Sequence, residues 1–147
     1  VERSKSRLEW LTAKNGARIL NDAYNSSPTA LQTVLKTFMH MDSKGKPKYL
    51  VLADMLELGE LSVPLHQESA EVLEEGTIEK IFLYGDAMKA FGAVAEDKIG
   101  QGKVQHFDTK ESLENALLKE ITGNEWILVK GSYGMGLKDV VENLIIK

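Results

Sequence analysis

The stretch NDAYNSSP, residues 21–28, places Asn21, Asp22, Tyr24 and Asn25 directly after an apolar run and stops at Pro28. A loop that only reversed the chain could do so with less chemistry than a carboxylate, two amides and a phenol together. Two other stretches carry comparable chemistry. Asp54 opens into MLELGE, and Lys130 opens into the glycine-rich GSYGMGLK. A lysine just ahead of such a turn is suited to anions or carboxylates.

Familiar self-sufficient motifs are absent. In residues 131–138 Leu137 stands where a P-loop needs its lysine, and Asp139 replaces the hydroxyl residue that would hold magnesium. The same turn fails G-x-G-x-x-G, because Asp139 takes the place of the third glycine. His40, His66 and His106 are far apart, with no H-E-x-x-H, and no G-x-S-x-G marks a serine nucleophile. Structural roles are expected for His40 and His106. For His66, packing at a helix start and contact with a ligand stand as alternatives.

These groups must be positioned by the elements before them. Residues 8–13 and 17–23 read as two strands about Lys14, Asn15 and Gly16, and Asn-Gly takes the positive φ angles of a tight hairpin, so an antiparallel pair is predicted. The runs at 48–55, 80–85, 104–108 and 126–131 are apolar without alternation, as in parallel strands covered on both faces. Between them lie helical stretches at 28–41, 64–75, 86–95 and 110–121, and a last one from Leu137 to the C-terminus. In the first, Leu31, Val34, Leu35, Phe38 and Met39 share a face, with Ser27 as cap and Pro28 in the opening turn. The alternation predicts an α/β fold: a Rossmann-like, open, mostly parallel sheet with helices on both faces and an N-terminal antiparallel β-hairpin. Ligands of such sheets bind at the carboxyl ends of the strands, where Asp22, Asp54, Tyr84 and Lys130 all fall.

The totals bound the function. With 147 residues and 43% hydrophobic content, one domain is expected over residues 8–147, preceded by a linker stump at residues 1–7. A formal charge of −4 with 18 scattered basic residues argues against a nucleic-acid surface. No apolar run approaches the roughly 20 residues that cross a bilayer, so a soluble, cytoplasmic chain without membrane insertion is expected. The absence of cysteine excludes disulfides and thiolate metal sites, and no metal site is expected in the chain itself.

Taken together, these strand ends resemble one family. NDAYNSSP resembles the D-D-S-Y-N-A-N-P signature of bacterial Mur ligases of the D-alanyl-D-alanine-adding type. LADMLELGELSVPLH resembles their G-D-M-x-E-L-G followed by histidine, ILVKGSYGMGLKDVVENL resembles their L-V-K-G-S-R-x-M-x-x-V-V, and SRLEW resembles the R-x-E that opens their third domain. The four motifs occur in the family's order across nearly the whole chain. The resemblance implies three domains, of which this is the third, the P-loop belonging to the central one. It implies an ATP- and Mg2+-dependent ligase in peptidoglycan precursor synthesis. There UDP-N-acetylmuramoyl-tripeptide is activated as an acyl phosphate and attacked by the amine of D-alanyl-D-alanine. The partners implied are these two substrates and the other two ligase domains, with ATP and Mg2+ held mainly by the central domain. No catalytic residue is expected within this domain alone, which should be inactive by itself.

By the same resemblance Asp22 accepts hydrogen bonds from the ATP ribose, Arg7 approaches the phosphates, and Tyr24 and Asn25 shape the crevice for nucleotide and dipeptide. Asp54, Glu57 and His66 border the incoming dipeptide, together with Lys130 and Ser132. The chain departs from the family pattern at Ala23, Ser27, Ala53 and Tyr133, the last standing where an arginine could clamp a carboxylate. A different class remains open beside this one. A phospho-accepting receiver module also has acids at two strand ends, with Asp54 as acceptor and Lys130 on the last strand, but it expects a hydroxyl residue near Tyr84 and a proline at Gly131. A plain partner-binding scaffold would use none of the strand-end residues.

Overall fold

The structure is a computed structural model, and it describes residues 8–23 and 26–146. The proposed linker stump at residues 1–7 lies outside the described residues.

Strands β1 (Glu9–Thr12) and β2 (Arg18–Asp22) form the antiparallel pair, with Trp10 opposite Leu20. The turn differs in detail from a two-residue Asn-Gly hairpin. Gly16 alone takes a positive φ, 105°, and a three-residue loop closes through Gly16 N–H to Ala13 O and Ala13 N–H to Ala17 O. Asn15 works through its side chain instead: Oδ1 accepts from Ala17 N at 3.2 Å, and Nδ2 donates to Ile121 O at 3.2 Å.

From β2 the chain alternates: α1 (Pro28–His40), β3 (Lys48–Ala53), α2 (Ser62–Ala70), β4 (Lys80–Tyr84), α3 (Met88–Ile99), β5 (Val104–Phe107), α4 (Lys110–Glu120), β6 (Trp126–Lys130) and α5 (Leu137–Ile146). The six strands form one sheet in the order β1-β2-β6-β3-β4-β5, parallel except for β1. All six residues of β3 are buried, which explains its unbroken apolar run. Period-two alternation divides its side chains. Leu50 and Leu52 meet α1, α2 and α3 on one face, while Tyr49, Val51 and Ala53 meet α4 and α5 on the other.

Local chemistry sets the helix starts. Ser27 Oγ accepts from Ala30 N at 3.2 Å with Pro28 in the first turn, and Thr109 Oγ1 accepts from Ser112 N at 3.1 Å to cap α4. Two helices depart from the boundaries read from sequence. Helix α2 begins two residues before Pro64, after a 3-10 turn at Gly59–Leu61, because proline in a first turn removes no intrahelical hydrogen bond. It ends at Ala70 rather than at residue 75, where Leu73 turns back into the core with its N–H on Ala70 O. Helix α3 starts at Met88 rather than at residue 86 and runs to Ile99, where Gly100 at φ 112° ends it.

The strand order creates the site. The connections after β2, β3 and β4 pass over one face, and those after β5 and β6 pass over the other. The carboxyl end of β6 is therefore flanked by two neighbours whose chains leave in the opposite direction, which opens a crevice on each side of it. Among the described residues no helix is long and apolar enough to cross a membrane.

Candidate functional site

Parallel pairing sets Asp22, at the end of β2, level with Lys130, at the end of β6, and sets Lys130 level with Leu52 of β3. The alternation that turns Leu20 and Leu128 toward α1–α3 turns Asp22 and Lys130 the same way. Their side chains meet: Lys130 Nζ donates to Asp22 Oδ2 at 2.6 Å. Lys130 is 1% exposed and the Asp22 side chain 12%. An ammonium taken this far from water requires a carboxylate, and Asp22 supplies it while staying in reach of solvent. Among the described residues Asp22 Oδ1 accepts no hydrogen bond. Two buried oxygens nearby in sequence, Asn21 Oδ1 and Ser26 Oγ, have no hydrogen-bond partner either. Around the junction of β2 and α1 these acceptors are thus without partners among the described residues.

Asp54, one residue past β3, turns toward the end of β4 and the start of α3. Its Oδ1 accepts from Met88 N at 2.9 Å, so a carboxylate from another strand caps α3. Gly85 makes room for it. A Cβ there would stand 2.3 Å from Asp54 Oδ1, and the backbone holds φ 113°. The Asp54 carbonyl accepts from Ser132 N at 3.2 Å, and Ser132 Oγ accepts from Leu56 N at 2.9 Å. Ser132 therefore ties the loop after β6 to the loop after β3.

His66 completes the latch from α2. Its Nε2 accepts from Met55 N at 3.0 Å, and Nδ1 lies 2.7 Å from Ser62 O, so the network assigns the ring proton to Nδ1. The ring has no exposed surface, and both nitrogens are engaged within the domain. Glu57 is exposed and takes φ 65°, in the left-handed region. Of the other histidines, His106 Nε2 meets Gly85 O at 2.6 Å, and His40 meets Glu74 on the surface at 3.2 Å.

Asp22 and Lys130 are thus in contact, while Asp54, Ser132 and His66 form a second, linked group around the loop after β3. Glu57 projects from that loop. Arg7, Tyr24 and Asn25 lie outside the described residues. Sequence reasoning missed the exposed apolar side chains on the same rim, Leu56, Leu61 and Val63, and the cradle at Gly85. The signal for the cradle was available in a glycine directly following a strand. Two clefts, of about 380 Å3 beside Lys46 and Lys103 and about 440 Å3 beside Trp10 and Trp126, open at the amino ends of the strands and include none of the rim residues. We place the site at the rim because the unsatisfied acceptors and the buried ion pair are there. Among the described residues no group of three His, Asp or Glu side chains could hold a metal ion.

Comparison with known proteins shows the family and the fold. The family described as Mur ligase, glutamate ligase domain, matches residues 6–133. The UDP-N-acetylmuramoyl-tripeptide--D-alanyl-D-alanine ligase of Bacillus subtilis is 35% identical over 139 residues, covering 95% of this chain and 30% of the relative. That of Buchnera aphidicola is 34% identical over 145 residues, covering 95% and 29%. Among solved structures, MurF from Acinetobacter baumannii superposes with a TM-score of 0.76 at 21% identity, over 97% of this chain and 30% of that one. MurF ligase from Thermotoga maritima in complex with ADP gives 0.72 at 24%, over 93% and 30%; at these identities the likeness concerns the fold. The chain spans about 30% of the length of these relatives. With 128 of its 147 residues inside the family pattern and an open sheet of the same fold, the chain belongs to the Mur ligase family as a C-terminal, glutamate ligase domain.

Proposed function

We propose that the chain is the third domain of an ATP-dependent ligase that adds D-alanyl-D-alanine to UDP-N-acetylmuramoyl-tripeptide. The observation that carries the reading is the Asp22–Lys130 pair beside the β6 crevice, in a chain whose relatives bear that ligase name. Among the described residues Asp22 keeps one carboxylate oxygen without a partner, which is available to a ribose hydroxyl. The fit to a nucleotide sugar is therefore good, and a structural relative in complex with ADP supports it. Arg7, Tyr24 and Asn25 are assigned to the same nucleotide. The donor set does not suit a divalent cation, so Mg2+ is assigned to another domain, as are most contacts to the phosphates.

ATP with Mg2+ supplies the phosphoryl group that activates the tripeptide carboxylate as an acyl phosphate. This chain's own residues hold and orient. Lys130 fixes Asp22, and Ser132 and His66 fix the loop from Asp54 to Glu57, which borders the incoming dipeptide. Preorganised groups of this kind lower the entropy cost of bringing an amine to an activated carboxyl. The receiver-like alternative is not favoured, because Asp54 is 8% exposed and its carboxylate is committed to Met88 N.

The test joins this domain to the two others the reading requires. The chain alone should release no phosphate from ATP in the presence of both substrates, and the joined protein should do so with formation of the amide. Asp22→Asn in the joined protein should raise the KM for ATP about tenfold, as expected for loss of a charged hydrogen bond. An unchanged KM for ATP would remove Asp22 from the nucleotide site.

A further inference from the structure

The loop after β3 is held more firmly than a connection requires. Over three consecutive residues, Asp54 Oδ1 accepts from Met88 N, Met55 N donates to His66 Nε2, and Leu56 N donates to Ser132 Oγ. The next residue, Glu57, has φ 65°. A side chain with a Cβ is unfavourable in this region, and glycine would adopt it freely. Gly59, two residues on, does so at φ 60°. A non-glycine residue in a strained conformation that its surroundings over-determine is a pointer to function.

The strain delivers a particular arrangement. The Glu57 carboxylate is exposed and, among the described residues, forms no ion pair, although eight such pairs occur elsewhere. Leu56 beside it is 40% exposed. Leu56 also lies against the loop that follows Lys130, where a Cβ on Gly134 would come within 2.9 Å of Leu56 Cδ1. Tyr133, 62% exposed, belongs to that loop. The corner thus sets one negative charge next to an aliphatic and an aromatic side chain, on the rim that carries Asp22 and Lys130. This chemistry suits a small primary ammonium with an apolar substituent on its α-carbon.

We propose that Glu57 is a specificity-determining residue that binds the ammonium group of the incoming amine substrate, with Leu56 and Tyr133 covering its methyl side chain. The inference rests on the function proposed above and assigns one end of the dipeptide within that site. The left-handed backbone at Glu57 turns the carboxylate out of the loop while the preceding hydrogen bonds keep Leu56 in place. It involves no proton transfer by Glu57, which holds the charged amine before it is deprotonated.

The test uses the complete ligase with D-alanyl-D-alanine as substrate and N-acetyl-D-alanyl-D-alanine, which lacks the ammonium, as a competing ligand. Glu57→Gly and Glu57→Asn both accommodate a left-handed backbone, so neither should lower the melting temperature. Each should raise the KM for D-alanyl-D-alanine about tenfold while leaving the inhibition constant of the acetylated dipeptide within twofold. A KM within twofold of the unmodified enzyme would overturn the assignment. So would a parallel rise in the inhibition constant, which would make Glu57 a loop-shaping residue only. If the unmodified enzyme ligates a different amine and not the dipeptide, the proposed function fails. The assignment of Glu57 fails separately if the variants bind that amine as well as the unmodified enzyme does.

Discussion

Removing either member of the Asp22–Lys130 pair should destabilise the domain, and unequally. Lys130 Nζ sits 2.6 Å from Asp22 Oδ2 with its side chain 1% exposed, whereas Asp22 retains 12% exposure. Breaking a buried pair from one side costs about 3–5 kcal/mol. The partial exposure of Asp22 places Asp22→Ala at the low end, about 3 kcal/mol, because removing a side chain that solvent already reaches lets water approach the ammonium left behind. Lys130→Met preserves most of the buried volume and leaves a carboxylate that water already reaches, so its cost should be about 1–2 kcal/mol. The double variant should lose about 2–3 kcal/mol, less than the sum, for a coupling of about 2 kcal/mol.

Urea unfolding followed by far-UV circular dichroism measures all four proteins, with a common slope as the check on two-state behaviour. In a domain of this size the Asp22→Ala loss corresponds to roughly 6–12 °C in Tm. Strictly additive losses, with a coupling under about 0.5 kcal/mol, would refute the pair as a stabilising contact. A larger loss for Lys130→Met than for Asp22→Ala would refute the argument from exposure.

Three other outcomes follow from the same geometry. Gly85→Ala should cost about 2–4 kcal/mol in urea unfolding, since its Cβ would overlap Asp54 Oδ1 and φ is 113°; Asp54→Ala in the same chain should recover part of the loss. His66→Phe should cost about 2–3 kcal/mol, because it leaves the buried Met55 N without its partner, and hydrogen exchange at the Met55 amide should accelerate. Glu125 supplies an acid-dependent term. Burial pushes its pKa up, but the N–H groups of Thr122 and Gly123 and the Thr122 hydroxyl together outweigh burial and hold it below 4.5. Its stabilisation is therefore present above about pH 4.5 and is lost as pH falls through the lower, folded-state value. Glu125→Gln should flatten the acid limb of a pH–stability curve, and an unaltered limb would assign it to other carboxylates.

The sequence was most legible where a residue's own neighbours decide its fate. Leu31, Val34, Leu35, Phe38 and Met39 announce the buried face of α1, Ser27 caps it, and the unbroken apolar run of β3 announces a strand covered on both faces. The strand ends, and so Asp22 and Lys130, could be placed on one rim from the alternation of elements alone. Their contact could not, because it depends on β6 inserting between β2 and β3, a partner 108 residues away. The same limit explains the other departures. Nothing near Met88 in sequence says that its N–H is capped by Asp54, 34 residues earlier, and nothing around His66 reveals that its two nitrogens are spent on Met55 and Ser62. Asn15 looked like half of a turn and serves instead as a bridge to Ile121.

These long-range bonds also bear on how the rim would meet another domain. The loops after β3 and β6 are joined to each other by Ser132, to α2 by His66 and to α3 by Asp54, so they are ordered before anything docks on them. Association normally pays for ordering loops and side chains, and a surface already fixed by its own hydrogen bonds avoids much of that cost. What the rim leaves unpaired among the described residues is different in kind: the second carboxylate oxygen of Asp22 and the exposed carboxylate of Glu57. On the proposed reading the division is mechanical, with internal bonds setting the geometry and unsatisfied acceptors reserved for nucleotide and amine. Loosening the latch at Ser132 should therefore reduce turnover by misplacing Glu57, even though Ser132 itself need not touch either ligand.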